Sequence, residues 1–587
     1  MRNPYLHLVK TAWVYAGNRR TMMLLTYLMF FVVNLISMTE PLIVAKIFNL
    51  IQTGGVDLFT RVLPWILLLL GIDIAFWILH GPARVIERKT AFVVSKNYIQ
   101  EMFQKVTDLP LKWHRDHHTG ETYDKVDKAR KALYEFTDGS WQYLETIVRM
   151  AFAFVAIISF LPLYGSLVFV VGFLVVLTMR IFDKVLVRNQ SIMNDQENQV
   201  SSALFDYISN ITTVITLRLQ KLAKTEVGSR VNRILDRFYH NAKLNEWKWF
   251  STNMIVRTGM VMLLLIYISQ QIQLGEAILV GSIVALYQYL ERLNNAFFSV
   301  AWQWEGLIFR STHVRSAETI VKAHQQYFRK HKRLSLPRKW KSIQITELNF
   351  RYEDDRNHVH HLKNIDLTLE RGKRIALVGS SGSGKTTLMK LLRELDTPDS
   401  ARVLIDGKSF PDLTVLNQTT TLFPQDPEIF ENSIEYNITA GISHRTEEVI
   451  NAVRLAKFDA VVERLPQGLD SHIQEKGVNL SGGEKQRLSL ARGIFAARDS
   501  SIILLDEPTS SVDTINEREI YENLFQHFKS QCIVSSIHRL HLLPLFDMIY
   551  VLQRGEVVEK GTFDQLRNNP GGVLNKMWEQ YRVSAKG

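Results

Sequence analysis

Long apolar runs between residues 22 and 309 constrain the fold of this 587-residue chain more than any other feature. A helix needs about 20 largely apolar residues to cross a bilayer, because lipid offers no partner to an unbonded backbone amide. Six stretches meet this requirement: Met22–Met38, Val62–Leu79, Ile147–Leu163, Gly165–Phe182, Met254–Ser269 and Ala277–Phe309. The last is rich in polar side chains, which suits the wall of a water-filled path. The sequence therefore predicts an all-α membrane domain of six spans.

The distribution of Lys and Arg predicts which side of the membrane each connection faces. The expected outer connections, residues 51–60, 162–164 and 270–276, contain neither residue, whereas the inner connections are rich in both. Because Lys and Arg accumulate on the cytoplasmic side of membrane proteins, we expect both termini in the cytoplasm. The same bias explains the formal net charge of +12, so a bilayer is the expected partner and nucleic acid is not.

The two longest inner connections, about residues 81–140 and 183–251, keep helical apolar spacing and predict helices that continue out of the membrane. Before the first span, Leu6, Val9, Trp13 and Ala16 recur at helical spacing, which predicts a short elbow helix in the membrane interface. Asp73 is expected near the middle of the bilayer. Its carboxyl group is equally expected to form a hydrogen bond between helices, or to contact cargo or relay a proton.

The composition changes near His324, where a basic segment precedes Pro337. Short apolar strands then alternate with helical stretches, and this is the pattern of an α/β domain. Examples are Arg374–Val378, Val403–Ile405, Ile502–Leu505 and Ile549–Leu552. The predicted domains are therefore a membrane domain over residues 1–320, a linker over 321–341 and an α/β domain over 342–587.

A glycine-rich loop follows the strand Ile375–Val378 and precedes a helix, matching GxxxxGK[ST] in its required context. Glycines let successive backbone N–H groups surround phosphates, and the helix N-terminus adds partial positive charge. Lys385 would reach the terminal phosphates, and Thr386 would offer its hydroxyl to magnesium. The residues expected to bind phosphate are Gly379, Ser380, Ser381, Gly382, Ser383, Gly384, Lys385, Thr386 and Thr387.

A second apolar strand, Ser501–Leu505, ends in Asp506 and Glu507. An acidic residue at a strand tip can hold magnesium through water, and a neighbouring carboxylate can orient or deprotonate an attacking water. Asp506 is therefore the metal-binding candidate and Glu507 the candidate base. Two acids after a strand would carry little meaning alone, and their pairing with the phosphate loop supports the assignment.

Between these motifs lies Asn479–Arg487, with the sequence NLSGGEKQR, which resembles the signature of the ATP-binding cassette (ABC) family. Further positions fit the family in order. By this resemblance, Tyr352 stacks on adenine, Gln425 senses the γ-phosphate and magnesium, Asp513 in the loop Ser510–Asp513 crosses to a partner, and His538 is the switch histidine. The resemblance implies an ATPase that uses ATP and Mg²⁺, with Glu507 and His538 as its catalytic residues.

The family binds ATP between the phosphate loop of one cassette and the signature of another. The resemblance therefore implies that Ser481, Gly482 and Gly483 act on nucleotide held by a second half-transporter subunit. One chain carries one cassette, so a dimer is expected; complete motifs favour a homodimer, and a heterodimer stays possible. A membrane domain followed by a cassette resembles bacterial half-size exporters. This implies an integral protein of the bacterial inner membrane with its cassette in the cytoplasm.

These expectations lead to an exporter that moves its substrate by alternating access. An ATP-gated channel or regulatory membrane protein of the same family is the alternative, and intact Glu507 and His538 favour turnover. The cargo stays open between lipid, oligosaccharide, peptide and drug-like molecules. Three departures from the family pattern, Glu484, Ser511–Val512 and Ser536–Ile537, leave open whether both ATP sites of a dimer are equivalent.

By the same resemblance, short coupling helices near Lys112–Thr122 and Asp206–Val214 should contact the cassettes. The first segment contains His114, His117 and His118, but no set of carboxylates or cysteines completes a metal site, so a polar turn is expected. Cys532 is the single cysteine of the chain, which excludes an internal disulfide.

Overall fold

The computed structural model describes residues 3–117, 119–275, 277–330, 336–353, 359–426, 428–473 and 480–584. The chain separates into two compact units, and each is described by itself below. The first unit comprises Met1–Lys105 and Gly120–Val321, and the second comprises Val106–Thr119 and Lys322–Gly587.

The described residues of the first unit are helical apart from short connections. In chain order the helices are α1 (Pro4–Ala16), α2 (Arg20–Ser37), α3 (Glu40–Thr53), α4 (Leu58–Thr107), α5 (Leu111–Asp116), α6 (Thr119–Asp138), α7 (Ser140–Phe160), α8 (Leu167–Ser209), α9 (Ile211–Thr216), α10 (Gln220–Gln273) and α11 (Val280–Lys330). Of these, α5 belongs to the second unit.

Four segments of the described chain are long and apolar enough to cross a membrane: Pro4–Thr53, Leu58–Thr107, Ser140–Phe160 and Gln220–Gln273. The other two expected spans, Gly165–Phe182 and Ala277–Phe309, fall mainly on α8 and α11. The helix count therefore agrees with six spans. With 50 and 54 residues, α4 and α10 are more than twice as long as a bilayer requires, as expected for helices that extend beyond it.

The core of the first unit forms where α7, α8, α10 and α11 meet. Its buried side chains include Ile157, Leu161, Val175, Met260, Leu263, Leu286 and Tyr289. In contrast, α4 leaves Leu67, Leu70 and Trp77 exposed. Such an apolar face suits contact with lipid, because hydrocarbon carries no penalty for exposed apolar atoms.

The first expected span, Met22–Met38, falls on α2, and a break separates α2 from α3 because Pro41 has no backbone N–H to donate. The carbonyl of Ser37 consequently lacks the donor four residues ahead, and Arg292 Nη1 donates to it at 2.8 Å. The hydroxyl of Tyr289 donates to the carbonyl of Met38 at 3.0 Å. Since lipid offers no water to free carbonyls, these two side chains of α11 stabilise the break.

Side chains of α3 also bond the first backbone amides of α11. Asn49 Oδ1 accepts from the N–H of Gly281 at 2.8 Å, and Gln52 Oε1 accepts from the N–H of Val280 at 2.8 Å. A Cβ atom at Gly281 would lie 2.0 Å from the carbonyl oxygen of Ala45. The close approach of these two helices therefore requires glycine.

The second unit contains a small antiparallel sheet and a larger, mostly parallel one. The strands described are β1 (Ser342–Glu353), β2 (Val359–Glu370), β3 (Arg374–Val378), β4 (Ser400–Ile405), β5 (Lys408–Phe410), β6 (Thr420–Phe423), β7 (Ile502–Asp506), β8 (Cys532–Ile537), β9 (Met548–Gln553) and β10 (Glu556–Gly561). The antiparallel sheet has the order β2-β1-β4-β5, and the larger sheet has the order β10-β9-β3-β8-β7-β6.

Helices cover the larger sheet: α12 (Lys385–Leu392), α13 (Ile434–Thr439), α14 (Thr446–Leu455), α15 (Asp459–Arg464), α16 (Gly482–Ala496), α17 (Thr514–His527), α18 (Phe563–Arg567) and α19 (Val573–Ser584). Alternate residues of β3 face two separate cores. Ala376 and Val378 pack in one core, and Ile375 and Leu377 pack in the other. This two-residue period is that of a strand buried on both faces.

Strands β9, β3, β8, β7 and β6 run parallel to one another, so their carboxyl ends share one edge of the sheet. In the register, Val378 lies opposite Ile537 and Asp506 lies opposite Ser536. The loops that follow these strands are thereby brought together.

The two expected coupling segments fall on different helices. In the second unit, Arg115 of α5 forms an ion pair with Asp396, and α5 lies in the first expected coupling segment. The second expected segment, Asp206–Val214, combines the end of α8 with the start of α9. Asp73 of α4 is exposed, and its side chain makes no hydrogen bond to another described residue of this chain.

Replacing Gly281 by alanine should lower the free energy of unfolding by about 1–3 kcal/mol, because the added methyl group must push α3 and α11 apart. Gly71→Ala is the matched control, since a Cβ atom there meets nothing within 4 Å. Thermal unfolding of the purified protein should give a lower midpoint for Gly281→Ala than for Gly71→Ala. Equal midpoints would show that this helix contact does not constrain the fold.

Candidate functional site

Four of the predicted site segments of the second unit follow the carboxyl ends of parallel strands. The phosphate loop follows β3, Gln425 follows β6, Glu507 follows β7 and His538 follows β8. Ligands of open α/β sheets bind outside these strand ends. Here the loops surround a cavity of about 690 Å³, lined by Ser381–Thr387, Gln425, Glu507 and His538 among others.

Two glycines of the phosphate loop lie so close to neighbouring residues that a side chain would not fit. A Cβ atom at Gly379 would lie 2.3 Å from the carbonyl oxygen of Leu552, and one at Gly384 would lie 2.5 Å from the side chain of Leu362. Gly384 also has a φ of +106°, which favours glycine, and it begins α12. The chain can therefore bring backbone N–H groups and a helix N-terminus to the cavity.

Lys385 is buried at the base of the loop, where its Nζ donates to the carbonyls of Gly379 at 2.8 Å and Ser380 at 3.2 Å. Burial lowers the pKa of Lys385, and the nearby carboxylates of Glu507 and Asp506 oppose this effect. A positive charge in this position attracts phosphate, because the low local dielectric strengthens the attraction.

Three expected magnesium-binding residues present oxygen atoms, the ligands that Mg²⁺ prefers. Thr386 Oγ1 donates to Asp506 Oδ1 at 3.1 Å, and Ser536 Oγ donates to the same oxygen at 2.9 Å. Gln425 lines the neighbouring cavity. Asp506 is only 3% exposed, so these hydroxyls replace the water that its carboxylate would otherwise bind. The residues present therefore fit a magnesium ion beside the phosphate loop.

Glu507 has a left-handed backbone, with a φ of +48°, which is strained for a residue with a side chain. Its N–H donates to Ser536 Oγ at 2.9 Å. Its carboxylate accepts from Gln425 Nε2 at 3.1 Å and lies 2.7 Å from His538 Nε2. The structure thus brings the candidate base Glu507 together with Gln425 and His538. Ser536, one of the departures from the family pattern, bonds both acidic residues.

One wall of the cavity was missed by sequence reasoning. It includes Lys363 of β2, Lys390 of α12, and Arg554 and Gly555 in the turn after β9. A Cβ atom at Gly555 would lie 1.9 Å from the carbonyl oxygen of His361, so this turn also requires glycine. No local motif marks these residues. Arg554 and Gly555 reach the cavity because β9 lies beside β3, and the three cations of this wall suit a polyphosphate.

The signature residues are not brought into this cavity within one chain. Ser481, Gly482, Gly483 and Asp513 are absent from its described lining. Ser481 instead begins α16 and forms a capping box with Glu484, in which its Oγ accepts from the Glu484 N–H at 3.3 Å. The N-terminus of α16 therefore does not line the cavity of its own chain.

Glu484, which replaces the usual glutamine, also pairs with Arg464 Nη2 at 2.7 Å. Burial opposes ionisation of this carboxyl, but the hydrogen bonds from Ser481 and Arg464 hold the pKa of Glu484 below its ordinary value. A charged glutamate is thereby accommodated in the signature with the capping box intact.

Gln486 of α16 bonds the residues around the candidate base. Its Nε2 donates to the carbonyl of Glu507 at 3.3 Å and to Ser510 Oγ at 2.8 Å. Its Oε1 accepts from the N–H of Ser511 at 2.7 Å. Arg539, directly after the switch histidine, donates to the carbonyl of Val512 at 2.9 Å. These bonds connect the signature helix, the base and the loop Ser510–Asp513.

Several sequence predictions remain predictions. The side chain of Tyr352 and the whole of His118 lie outside the described residues. Asp513 is described at the N-terminus of α17, where its carboxylate accepts from the N–H of Asn516 at 3.0 Å. The side-chain amide of Asn516 also donates to this carboxylate at 2.7 Å, and this bond together with the backbone bond lowers the pKa of Asp513 and fixes the end of the loop.

Two family models match the chain in tandem. The ABC transporter transmembrane region matches residues 23–297, and the ABC transporter model matches residues 362–510. A solved structure, titled "Structure of a bacterial Atm1-family ABC exporter with ATP bound", is similar over 96% of this chain and 98% of that chain, with a TM-score of 0.78 and 22% identity. The likeness confirms the fold: a helical membrane domain followed by an α/β nucleotide-binding domain.

Curated relatives carry several names. The heterocyst differentiation ATP-binding protein HepA of Nostoc sp. is 34% identical over 281 residues, which cover 47% of this chain and 45% of that protein. The mitochondrial iron-sulfur clusters transporter ATM1 of Saccharomyces cerevisiae is 28% identical over 502 residues, which cover 81% and 69%. The mitochondrial iron-sulfur clusters transporter ABCB7 of Homo sapiens is 30% identical over 405 residues, which cover 66% and 51%.

The chain thus spans about half the length of several curated relatives that it matches. The two family matches lie in the order and positions expected from the apolar runs and the phosphate loop. On this evidence the chain belongs to the ABC transporter family and carries its transmembrane region and its nucleotide-binding domain on one polypeptide.

Proposed function

We propose that the chain is one half of a dimeric ATP-driven exporter. ATP bound and hydrolysed between two cassettes would switch the membrane helices between inward-facing and outward-facing arrangements. The observation that carries the proposal is the grouping of Lys385, Glu507 and His538 around one cavity beside Asp506. The distribution of Lys and Arg supports a cytoplasmic location of both termini and of the cassette, and the resemblance to bacterial half-size exporters supports the bacterial inner membrane.

Each side chain has a defined part in ATP hydrolysis. Lys385 and the loop N–H groups would bind the terminal phosphates, and the family resemblance assigns stacking on adenine to Tyr352. Thr386, Gln425 and Asp506 would hold magnesium, which would neutralise phosphate charge. Glu507 orients the attacking water and accepts its proton, and its 2.7 Å contact with His538 keeps the carboxylate directed into the site.

The second subunit would complete the site with its signature. The N-terminus of α16, with Ser481 and Gly483, offers N–H groups and partial positive charge that suit a phosphate. These groups do not line the cavity of their own chain, so a second copy is the natural source. We propose a homodimer because this chain contains every motif, and a heterodimer with a related half-transporter would use the same contacts.

An ATP-gated channel or a regulatory membrane protein is the second candidate. Gating needs nucleotide binding alone, whereas the contacts of Glu507 with Gln425 and His538 favour repeated hydrolysis. Sustained phosphate release with directional cargo movement in proteoliposomes would support export. Passive flux that ATP opens without sustained hydrolysis would support a channel.

Mixed dimers test whether the ATP site is shared. Lys385→Ala removes the phosphate-loop cation, and Ser481→Ala removes the signature hydroxyl, so each homodimer should lose most ATPase activity. A mixed dimer contains one Lys385→Ala subunit and one Ser481→Ala subunit. If the sites are shared, one site combines both defects, and the other combines an intact phosphate loop with an intact signature. We expect the purified mixed dimer to recover up to about half of the wild-type ATPase rate, from the one intact site. A mixed dimer as inactive as both homodimers would contradict a shared site.

Gln486 should be needed for turnover more than for ATP binding. It bonds the backbone of Glu507 and of Ser511 but does not line the nucleotide cavity. Gln486→Met keeps similar volume and removes these bonds. We expect kcat of the ATPase to fall about 10- to 100-fold because the base is misplaced, while the Kd for ATP changes little.

Gln467→Met is the matched control, since the side chain of Gln467 is exposed. This variant should keep the wild-type kcat and melting temperature. Turnover that is unchanged in Gln486→Met, or that falls equally in both variants, would rule out a positioning role for Gln486.

A further inference from the structure

A second cavity, of about 510 Å³, lies in the first unit between α7 and α11. This volume is within the range of small-molecule sites. Its lining combines aromatic rings, amides, hydroxyls and two arginines, which is an unusually polar set for segments expected in or near a membrane. Polar groups of this kind are costly in lipid, so their clustering on facing helices indicates a function.

The charges around this cavity are already balanced. Arg149 pairs with Glu145 one helical turn away, and Arg292 pairs with Glu40 of α3. Each guanidinium therefore has a carboxylate partner. A charged ligand would have to compete with one of these pairs, and separating a partly buried pair is expensive. A neutral ligand can bond the same groups without separating them.

Several hydrogen-bonding groups of the cavity have no partner. Within the described part of the chain, the exposed side chains of Gln142 and Asn295 make no hydrogen bond. Gln303 Nε2 donates to Thr146 Oγ1 at 3.0 Å, which leaves its amide oxygen available. The cavity consequently offers both donors and acceptors to a ligand.

Trp302 is the aromatic residue of the cavity that is open to a ligand. The ring of Phe298 already stacks on Trp249 at 5.3 Å, and the ring of Trp141 lies 5.4 Å from the guanidinium of Arg84. Trp302 has 75% of its surface exposed and makes no ring contact with a described residue. An exposed indole beside free amides provides a flat apolar surface next to polar groups.

We propose that this cavity binds a neutral, polyhydroxylated group of the exported molecule, such as a sugar headgroup. Hydroxyls can donate to and accept from the amides, while the C–H face of a sugar ring packs on Trp302. Balanced ion pairs disfavour anions and cations alike. The proposal deepens the exporter function and rests on it for the claim that the bound molecule is cargo.

Three amphiphiles with the same alkyl chain test the headgroup preference. Decyl maltoside, decyl sulfate and decyltrimethylammonium differ in charge and in hydroxyl content but share their apolar part. The full-length protein in lipid nanodiscs is titrated with each, and radiolabelled decyl maltoside is used for equilibrium binding with empty nanodiscs subtracted. We expect saturable maltoside binding that the charged amphiphiles displace at least about 10-fold more weakly than unlabelled maltoside.

Variants at Trp302 test whether maltoside binds in this cavity. Trp302→Ala should weaken maltoside binding about 3- to 10-fold, and Trp302→Phe should retain most of it because a flat ring remains. Trp247→Ala is the matched control, since Trp247 on α10 is also exposed and lies outside the cavity. This control should bind maltoside as the wild type does.

The outcomes separate this inference from the exporter function. Saturable, Trp302-dependent maltoside binding without ATPase activity would support the cavity and overturn the exporter function. Normal ATPase activity with no maltoside binding above empty nanodiscs would overturn the cavity proposal alone. Equal displacement by all three headgroups, or equal loss in Trp302→Ala and Trp247→Ala, would also overturn it.

Discussion

The parallel alignment of five strands is the constraint on which the nucleotide site depends. Because the carboxyl ends of β9, β3, β8, β7 and β6 share one edge, residues far apart in sequence meet within hydrogen-bonding distance. Ser536 illustrates the effect. Its hydroxyl bonds both Asp506 and the backbone of Glu507, which end the adjacent strand. The proposed metal site and base are therefore positioned by the sheet rather than by flexible loops.

A different constraint governs the membrane helices. Lipid cannot satisfy backbone groups that a proline leaves free, so the break before Pro41 is possible only beside another helix that supplies donors. Arg292 and Tyr289 supply them from α11. Arg292 also lines the polar cavity between α7 and α11, so the same side chain contributes to a helix break and to a candidate ligand site.

Much of the site could be predicted from sequence because its motifs are local. The phosphate loop, the acidic strand end and the signature are each contiguous, and the structure brings Lys385, Gln425 and Glu507 into one cavity. Arg554 and Lys363 could not be found this way, since their position depends on which strands are neighbours. The contacts at the break between α2 and α3 could not be predicted for a similar reason: apolar content predicts a span, but the carbonyls of Ser37 and Met38 are bonded by residues about 250 positions later.

The central claim is that ATP draws two cassettes together. A spin label at Ser530→Cys reports the distance between subunits, because Ser530 is exposed while Cys532 is buried and burial raises the pKa of its thiol to about 12. In a Glu507→Gln background, Mg²⁺ and ATP should shorten the distance between the two labels relative to nucleotide-free protein, and the wild type should return to the longer distance once ATP is consumed. A distance that is the same with and without ATP would contradict the account.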